Sequence, residues 1–274
     1  MMENKLIKNS SQNIAIWIIS IIAIIPILLI VINAVKTAPE ASSMNFDFPS
    51  TLQFNNFMTV IEKGKLVISF FNSFMYSGIS SILCTLASAM AAYVLARNKT
   101  RFNRFLYLFI VMGIALPLNY FTLIDVMKWT NLINTRAGII VIYMVTQIPF
   151  SVFILYGFMR GVPRELDEAA LIDGCGPKRL FFSVIFPMLQ PAAVTVLILS
   201  FLNTWNEFVL PLYYLNSADK WPMTLAVYNF FGQFEQSWNL VSADIILTIM
   251  PVVIIYLLGQ RFIITGMTSG SVKG

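Results

Sequence analysis

Six stretches of this chain are apolar for long enough to cross a membrane. They run over residues 14–35, 66–96, 105–126, 138–159, 186–212 and 241–264, each at or above the roughly 20 helical residues that about 30 Å of hydrocarbon requires. Proline falls inside or at the edge of most of them (Pro26, Pro117, Pro149, Pro187, Pro191, Pro211, Pro251), which membrane helices tolerate better than soluble ones because neighbouring groups satisfy the freed backbone. The pattern predicts an all-α integral membrane protein, one domain over 1–274, with six transmembrane helices, a loop at 161–185 and a tail at 265–274. Lys5 and Lys8 precede the first stretch as in a secretory signal, but its apolar run exceeds the ~7–15 residues of a signal core and no convincing small-x-small cleavage site follows. It is expected to stay as a first helix.

Composition agrees: 58% of the 274 residues are hydrophobic and 11% charged, against roughly 25% charged in an average soluble domain. The chain has no histidine and two cysteines, Cys84 and Cys175, so no metal centre, no catalytic set and no disulfide framework is expected. A G-x-x-x-x-G-K-[ST] phosphate loop is also missing, so the chain is not expected to hydrolyse ATP by itself. The net charge of +5 is informative only through its distribution. With the N-terminus inside, 12 of the 18 basic residues fall on inner segments (Lys5, Lys8, Arg97, Lys99, Arg101, Arg104, Arg160, Arg164, Lys178, Arg179, Arg261, Lys273). Both termini are then cytoplasmic by the positive-inside rule, and the charge marks orientation rather than a nucleic-acid partner.

The loop between the fourth and fifth spans reads as a short helix outside the bilayer. Pro163 suits a first helical position, Glu165, Asp167 and Glu168 suit the positive end of the helix dipole, and Gly174 suits a left-handed cap. Leu166, Ala169 and Ala170 share one face at i, i+3 and i+4, small enough for another surface to come close. On these grounds alone the segment could equally be a plain interfacial connector. A second amphipathic run, 180–186, leads into Pro187.

The order Glu168-Ala169-Ala170, then Gly174, then Val184-x-Phe186-Pro187 resembles the E-A-A…G…I-x-L-P loop of inner-membrane permease subunits of ABC importers. Asn203-Thr204-Trp205-Asn206-Glu207-Phe208 and the ending from Gln260 to Gly274 look like the carbohydrate-uptake, maltose-type branch. The resemblance implies the type I importer permease fold in a bacterial inner membrane, with the loop segment as a coupling helix docking into a cytoplasmic ATPase. It implies ATPase contacts at Glu168, Ala169, Ala170, Asp173 and Gly174, and a secondary contact along the tail residues Gly270, Ser271, Val272, Lys273 and Gly274. The implied partners are a second homologous permease, two ATP-binding subunits and an extracytoplasmic sugar-binding protein, with a sugar or oligosaccharide as cargo.

Polar residues within apolar stretches are the remaining candidates, because an ionised side chain at the bilayer centre costs about 2.5–3.5 kcal/mol or more unless it faces protein or water. Asn203, Asn206 and Glu207, with Asn119 and Tyr120, are expected to face a translocation path, and Trp205 to stack on a sugar face; interhelical hydrogen bonds are the competing use. A stand-alone carrier is the rival function, with Asp125 and Glu207 as proton or cation relays. Asp244 is expected at the outer interface, and the aromatic outer segment at 213–240, which includes Phe231 and Phe234, in an interfacial belt or a docking surface.

Overall fold

The computed structural model describes residues 2–230 and 237–269, and among these the chain is helical throughout. In chain order the elements are α1 (Met2–Ala34), α2 (Ala38–Ala41), α3 (Asn55–Lys63), α4 (Leu66–Arg97), α5 (Arg101–Met112), α6 (Tyr120–Trp129), α7 (Arg136–Met159), α8 (Glu165–Ile172), α9 (Pro177–Arg179), a π-helical turn (Leu180–Ile185), α10 (Phe186–Asn206), α11 (Val209–Tyr214), α12 (Met223–Ala226) and α13 (Trp238–Ser269). Among the described residues, five helical runs are long and apolar enough to cross a membrane: Ile16–Ala34, Leu66–Arg97, Arg136–Met159, Pro177–Asn206 and Trp238–Ile263.

The third expected span is not one helix. α5 stops at Met112 and α6 begins at Tyr120. Pro117 has no N–H to continue a helix and biases Leu116 towards an extended backbone, and the Asn119 carboxamide accepts the Thr122 N–H at 3.1 Å to start the next helix. A Cβ on Gly113 would lie 2.8 Å from the Pro149 ring, so the end of α5 meets α7 closely at its proline. The fifth expected span is broken too: α10 ends at Asn206 and the chain restarts as α11 at Val209.

The chain divides into two units. In the larger one, 68–225 with 251–274, α10 and α5 pack on α7, α11 packs on α6 and α7, and α8 packs on the π-helical turn. Small residues occupy the contacts: Ala89, Ala92, Ala192 and Ala193 are buried beside Leu155, Met159 and Leu189. α4 turns a row of serines inward, including Ser73, Ser77, Ser80, Ser81 and Ser88. The Ser80 hydroxyl returns to its own helix at the Tyr76 carbonyl (2.6 Å) and the Ser81 hydroxyl at the Gly78 carbonyl (3.0 Å), and side chains this small let the row pack closely. Large apolar side chains such as Phe71, Phe109 and Leu258 lie exposed, as side chains facing hydrocarbon do.

The smaller unit, 1–67 with 226–250, is tied by amides. Asn56 donates to the Ala34 and Lys36 carbonyls at 2.8 and 2.9 Å, and accepts from Asn239 at 3.1 Å. Lys36 is buried and donates to the Asn45 carbonyl and side-chain oxygens at 2.9 and 2.6 Å. Donors from Thr37 and Ser50 converge on Glu40 and hold its carboxyl down at about 2. Asp244 is buried at 1% exposure.

Gly138 supplies a direct test of the α6–α7 corner. A side chain there would meet the Leu132 carbonyl oxygen, with the Met127 methyl group 2.8 Å away. Because one of those atoms is backbone, it cannot rotate aside. Gly138→Ala is expected to destabilise the folded chain by about 1–3 kcal/mol, as overpacking of a tight core does, and to lower membrane yield and the thermal midpoint in detergent, while Gly157→Ala, which meets nothing within 4 Å, leaves both unchanged.

Candidate functional site

α8 is an eight-residue helix held against the end of α4 by one arginine. The Arg97 guanidinium donates to the Val162 carbonyl at 3.0 Å and the Pro163 carbonyl at 3.2 Å, and pairs with the Asp167 carboxylate at 2.7 Å. Arg164 returns a bond from the loop to the Arg97 carbonyl at 2.7 Å. Pro163 therefore stands before the helix, its carbonyl engaged by Arg97, and not at the first helical position that the sequence suggests; α8 starts at Glu165. Glu165, Asp167 and Glu168 fill the first turn, where the helix dipole favours acids.

The helix stops as expected. Gly174 adopts φ +76°, its N–H reaches the Leu171 carbonyl at 3.0 Å, and the Cys175 N–H reaches the Ala170 carbonyl at 2.9 Å. These are the paired bonds of a Schellman cap, which glycine adopts with no side-chain penalty.

The two faces of α8 are distinct. Ala170, at 6% exposure, and Leu166 face the cluster of Val162, Leu180, Phe181 and Ile185, so Ala170 is turned into the protein and does not present a docking surface. The outer face carries Glu165, Glu168, Ala169, Leu171, Ile172 and Asp173, with Ile172 at 87% exposure. The tip is thus apolar and ringed by acids, and it lies outside the long apolar helices.

The residues at the C-terminal end of α10 form a second constellation. Glu207 accepts the Val209 and Leu210 N–H groups at 2.7 and 3.1 Å through one carboxylate oxygen, and its own carbonyl accepts the Thr224 hydroxyl at 3.0 Å. The carboxylate thus caps α11. Asn203 and Asn206 are exposed, the former 3.5 Å from the Gln147 side-chain oxygen. Trp205 is buried at 1% exposure, stacked on Phe201 (5.7 Å, 25°) and edge-on to Phe70, so it cannot lie against a passing sugar and instead supports its neighbours. Asn119 is spent on the α6 cap, and Tyr120 stacks on Tyr213 at 5.5 Å while its carbonyl accepts the Tyr214 hydroxyl at 2.8 Å. Asp125 is exposed on α6. The tail contacts expected at Gly270 to Gly274 lie outside the described residues, as do Phe231 and Phe234.

Residues 85–269 match the family described as binding-protein-dependent transport system inner membrane component, a region that includes α8 and the Asn203–Glu207 segment. The chain belongs to this family. It is a multi-pass membrane protein, and among its relatives are a probable starch degradation products transport system permease of Thermoanaerobacterium thermosulfurigenes, 31% identical over 93% of this chain and 94% of the relative. Another is the melibiose/raffinose/stachyose import permease of Bacillus subtilis, 32% identical over 91% of each. A bacterial ABC transporter for import of the acidic polysaccharide alginate shares the fold, with a TM-score of 0.81 at 18% identity over 93% of this chain and 96% of that one. The chain is therefore the permease of a binding-protein-dependent importer.

Within this permease, sequence reasoning missed Arg97 and Asp167 as a joint and Leu171 and Ile172 as exposed apolar groups. The signal for the latter was present: two large apolar residues beside the acids of a short helix whose inward face was already filled by Leu166 and Ala170. Gly174 gives the cleanest local test, because a Cβ there meets nothing within 4 Å and φ is +76°. Any cost is purely conformational, about 1–2 kcal/mol for a non-glycine residue. Gly174→Val is expected to cut uptake several-fold in membrane vesicles, whereas Gly174→Asn, which tolerates the left-handed region, retains most of it.

Proposed function

We propose that this permease carries a sugar or oligosaccharide and takes its energy from a separate cytoplasmic ATPase through α8. The sugar-transport names of its relatives support the cargo, and a solved alginate importer in complex with a pentasaccharide-bound periplasmic protein supports the binding-protein partner. In this reading the chain is one permease domain that pairs with a homologous permease, two ATP-binding subunits and an extracytoplasmic sugar-binding protein. Both termini are cytoplasmic, and the tail Gly270 to Gly274 adds a second ATPase contact.

The observation that carries the reading is the build of α8. Glu168, Ala169 and Asp173 flank the exposed Leu171 and Ile172, Gly174 ends the helix, and Ala170 with the Arg97–Asp167 pair fastens it to the membrane helices. A helix fixed at its base and apolar at its tip can transmit a push from the ATPase to the spans, which rock as rigid bodies. The sixth crossing in this reading is the broken pair α5 and α6. Residues 113–119 are exposed and non-helical in part, and irregular backbone at membrane depth is stable only against protein or water. That break, with Asn119 and Tyr120 beside it, lines the translocation path together with Asn203 and Asn206; Trp205 and Glu207 shape the path from behind.

The test uses the assembled importer. Glu168→Lys and Ile172→Asp are expected to reduce co-purification of the ATPase and ATP-dependent uptake by roughly tenfold or more, the loss of one hot-spot contact, with the permease still inserted in the membrane. Undiminished ATPase retention, or uptake by this chain alone that ignores ATP, overturns the proposal.

A further inference from the structure

The cytoplasmic-side end of α5 holds more positive charge than the permease itself uses. Arg97 is engaged by Asp167 and two carbonyls, and Arg164 by the Arg97 carbonyl. Lys99, Arg101, Arg104 and Arg160 are all exposed, and no ion pair is recorded for any of them among the described residues. The sequence supplies no acid between Glu62 and Asp125 and none from Asp125 to Glu165, so neither α5 nor α7 brings a counter-charge of its own.

The turn that presents these cations is fixed. The Thr100 hydroxyl accepts the Asn103 N–H at 3.1 Å, and the Asn103 amide donates to the Asn98 carbonyl at 3.0 Å. Tyr107 of α5 stacks on Tyr156 of α7 with centroids 3.9 Å apart. Arg104 lies one turn before Tyr107 and Arg160 one turn after Tyr156, so both guanidinium groups come to the same end of the α5–α7 seam. Arg160 is close enough for its charge to act on the Tyr107 phenol. Above Arg101 and Arg104, the same side of α5 exposes Phe105, Leu108, Phe109 and Met112, at 54 to 62%. That face continues for roughly 12 Å from Arg104 to Met112 at 1.5 Å per residue.

We propose that this seam binds an anionic phospholipid, its phosphodiester held by Arg101, Arg104 and Arg160 with Lys99 beside them and its acyl chains lying along the exposed face of α5. Guanidinium forks match phosphate oxygens geometrically, and cations standing directly below an apolar strip reproduce the layout of head and tail. A soluble anion satisfies the first half of that layout only. The inference needs the chain to be embedded in a membrane, not the direction or cargo of transport.

The test takes the assembled importer in detergent and in nanodiscs of phosphatidylcholine with or without phosphatidylglycerol, and reads bound phosphatidylglycerol by native mass spectrometry and by titration of a fluorescent analogue. The combined substitution Lys99→Gln, Arg101→Gln, Arg104→Gln and Arg160→Gln is expected to weaken phosphatidylglycerol binding by roughly tenfold or more, while Lys128→Gln on α6 leaves it unchanged. Inorganic phosphate in large excess is expected not to displace the lipid. Equal binding by wild type and the combined variant overturns the proposal, as does displacement by phosphate, which would make the seam a site for free anions. Lipid binding is read without transport, so loss of uptake alone is a different result with a different meaning.

Discussion

Arg97→Ala is expected to leave the permease in the membrane but to remove at least nine-tenths of its ATP-dependent uptake. The guanidinium makes three attachments at once: two carbonyls of the segment entering α8 and the Asp167 carboxylate within it. Truncation leaves that carboxylate without its counter-charge at 13% exposure. Breaking one side of a buried pair costs about 3–5 kcal/mol, and the remaining exposure puts this case at or below the lower end. The local consequence matters more than the total. α8 then rests on Leu166, Ala170 and the Arg164 bond to the carbonyl of residue 97, and under the proposed coupling a push received at Ile172 is lost in motion of the helix instead of reaching α4. Asp167→Asn keeps an acceptor for Arg97 and is expected to lose only a fraction of uptake; Arg97→Lys, one ammonium facing three acceptors in different directions, falls between. ATPase activity read alongside uptake separates the causes: hydrolysis that continues while uptake falls means uncoupling. Wild-type uptake by Arg97→Ala would show that the joint does not transmit force.

Because burial of a long apolar run in lipid depends little on tertiary detail, hydropathy alone pointed to five long apolar helices, although the stretch at 186–212 starts nine residues inside the run Pro177–Asn206 and overruns its end by six. It could not see that the stretch at 105–126 is two helices. Pro26, Pro149, Pro191 and Pro251 all sit inside continuous helices, so Pro117 carried no weight by itself, and what ends α5 is the combination with Gly113 against Pro149 and Asn119 as the next cap. α8 was readable at its C-terminus, where a left-handed cap needs glycine at a particular place. Its facing was not. Spacing at i, i+3 and i+4 shows that Leu166, Ala169 and Ala170 share a side, yet says nothing about which side meets the protein, and Ala170 proved to be inward. Arg97 was hidden for another reason: as one basic residue among several it served as an orientation signal, and its partner lies 70 positions away. Trp205 was misjudged because an aromatic ring next to amides suits a sugar path and a packed support equally well until Phe70 and Phe201 are seen around it.

Glu207 separates two uses of a carboxylate, a titrating relay and a helix cap, at a single atom. A proton or cation relay needs a carboxylate that gains and loses charge, so Glu207→Gln would stop it as surely as Glu207→Ala. A cap needs only an acceptor oxygen. One carboxylate oxygen of Glu207 accepts both the Val209 and Leu210 N–H groups, and glutamine offers the same oxygen on the same length of side chain. Glu207→Gln is therefore expected to keep more than half of wild-type uptake, with no change in its pH profile. Glu207→Ala strands two amides at the start of α11, a segment of six residues with little else to hold its first turn. Loss of a cap costs about 0.5–2 kcal/mol, and unsatisfied buried donors cost more. α11 packs on α6 and α7, and Thr224 is bound to the Glu207 carbonyl, so a frayed α11 disturbs the whole α6–α7 corner and uptake is expected to fall roughly tenfold, with a lowered thermal midpoint. The order of the two variants carries the result. If glutamine proves as damaging as alanine, and the loss follows pH in a way the wild type does not, the carboxylate works through its charge and the cap is incidental; if glutamine is tolerated, this side chain holds a helix.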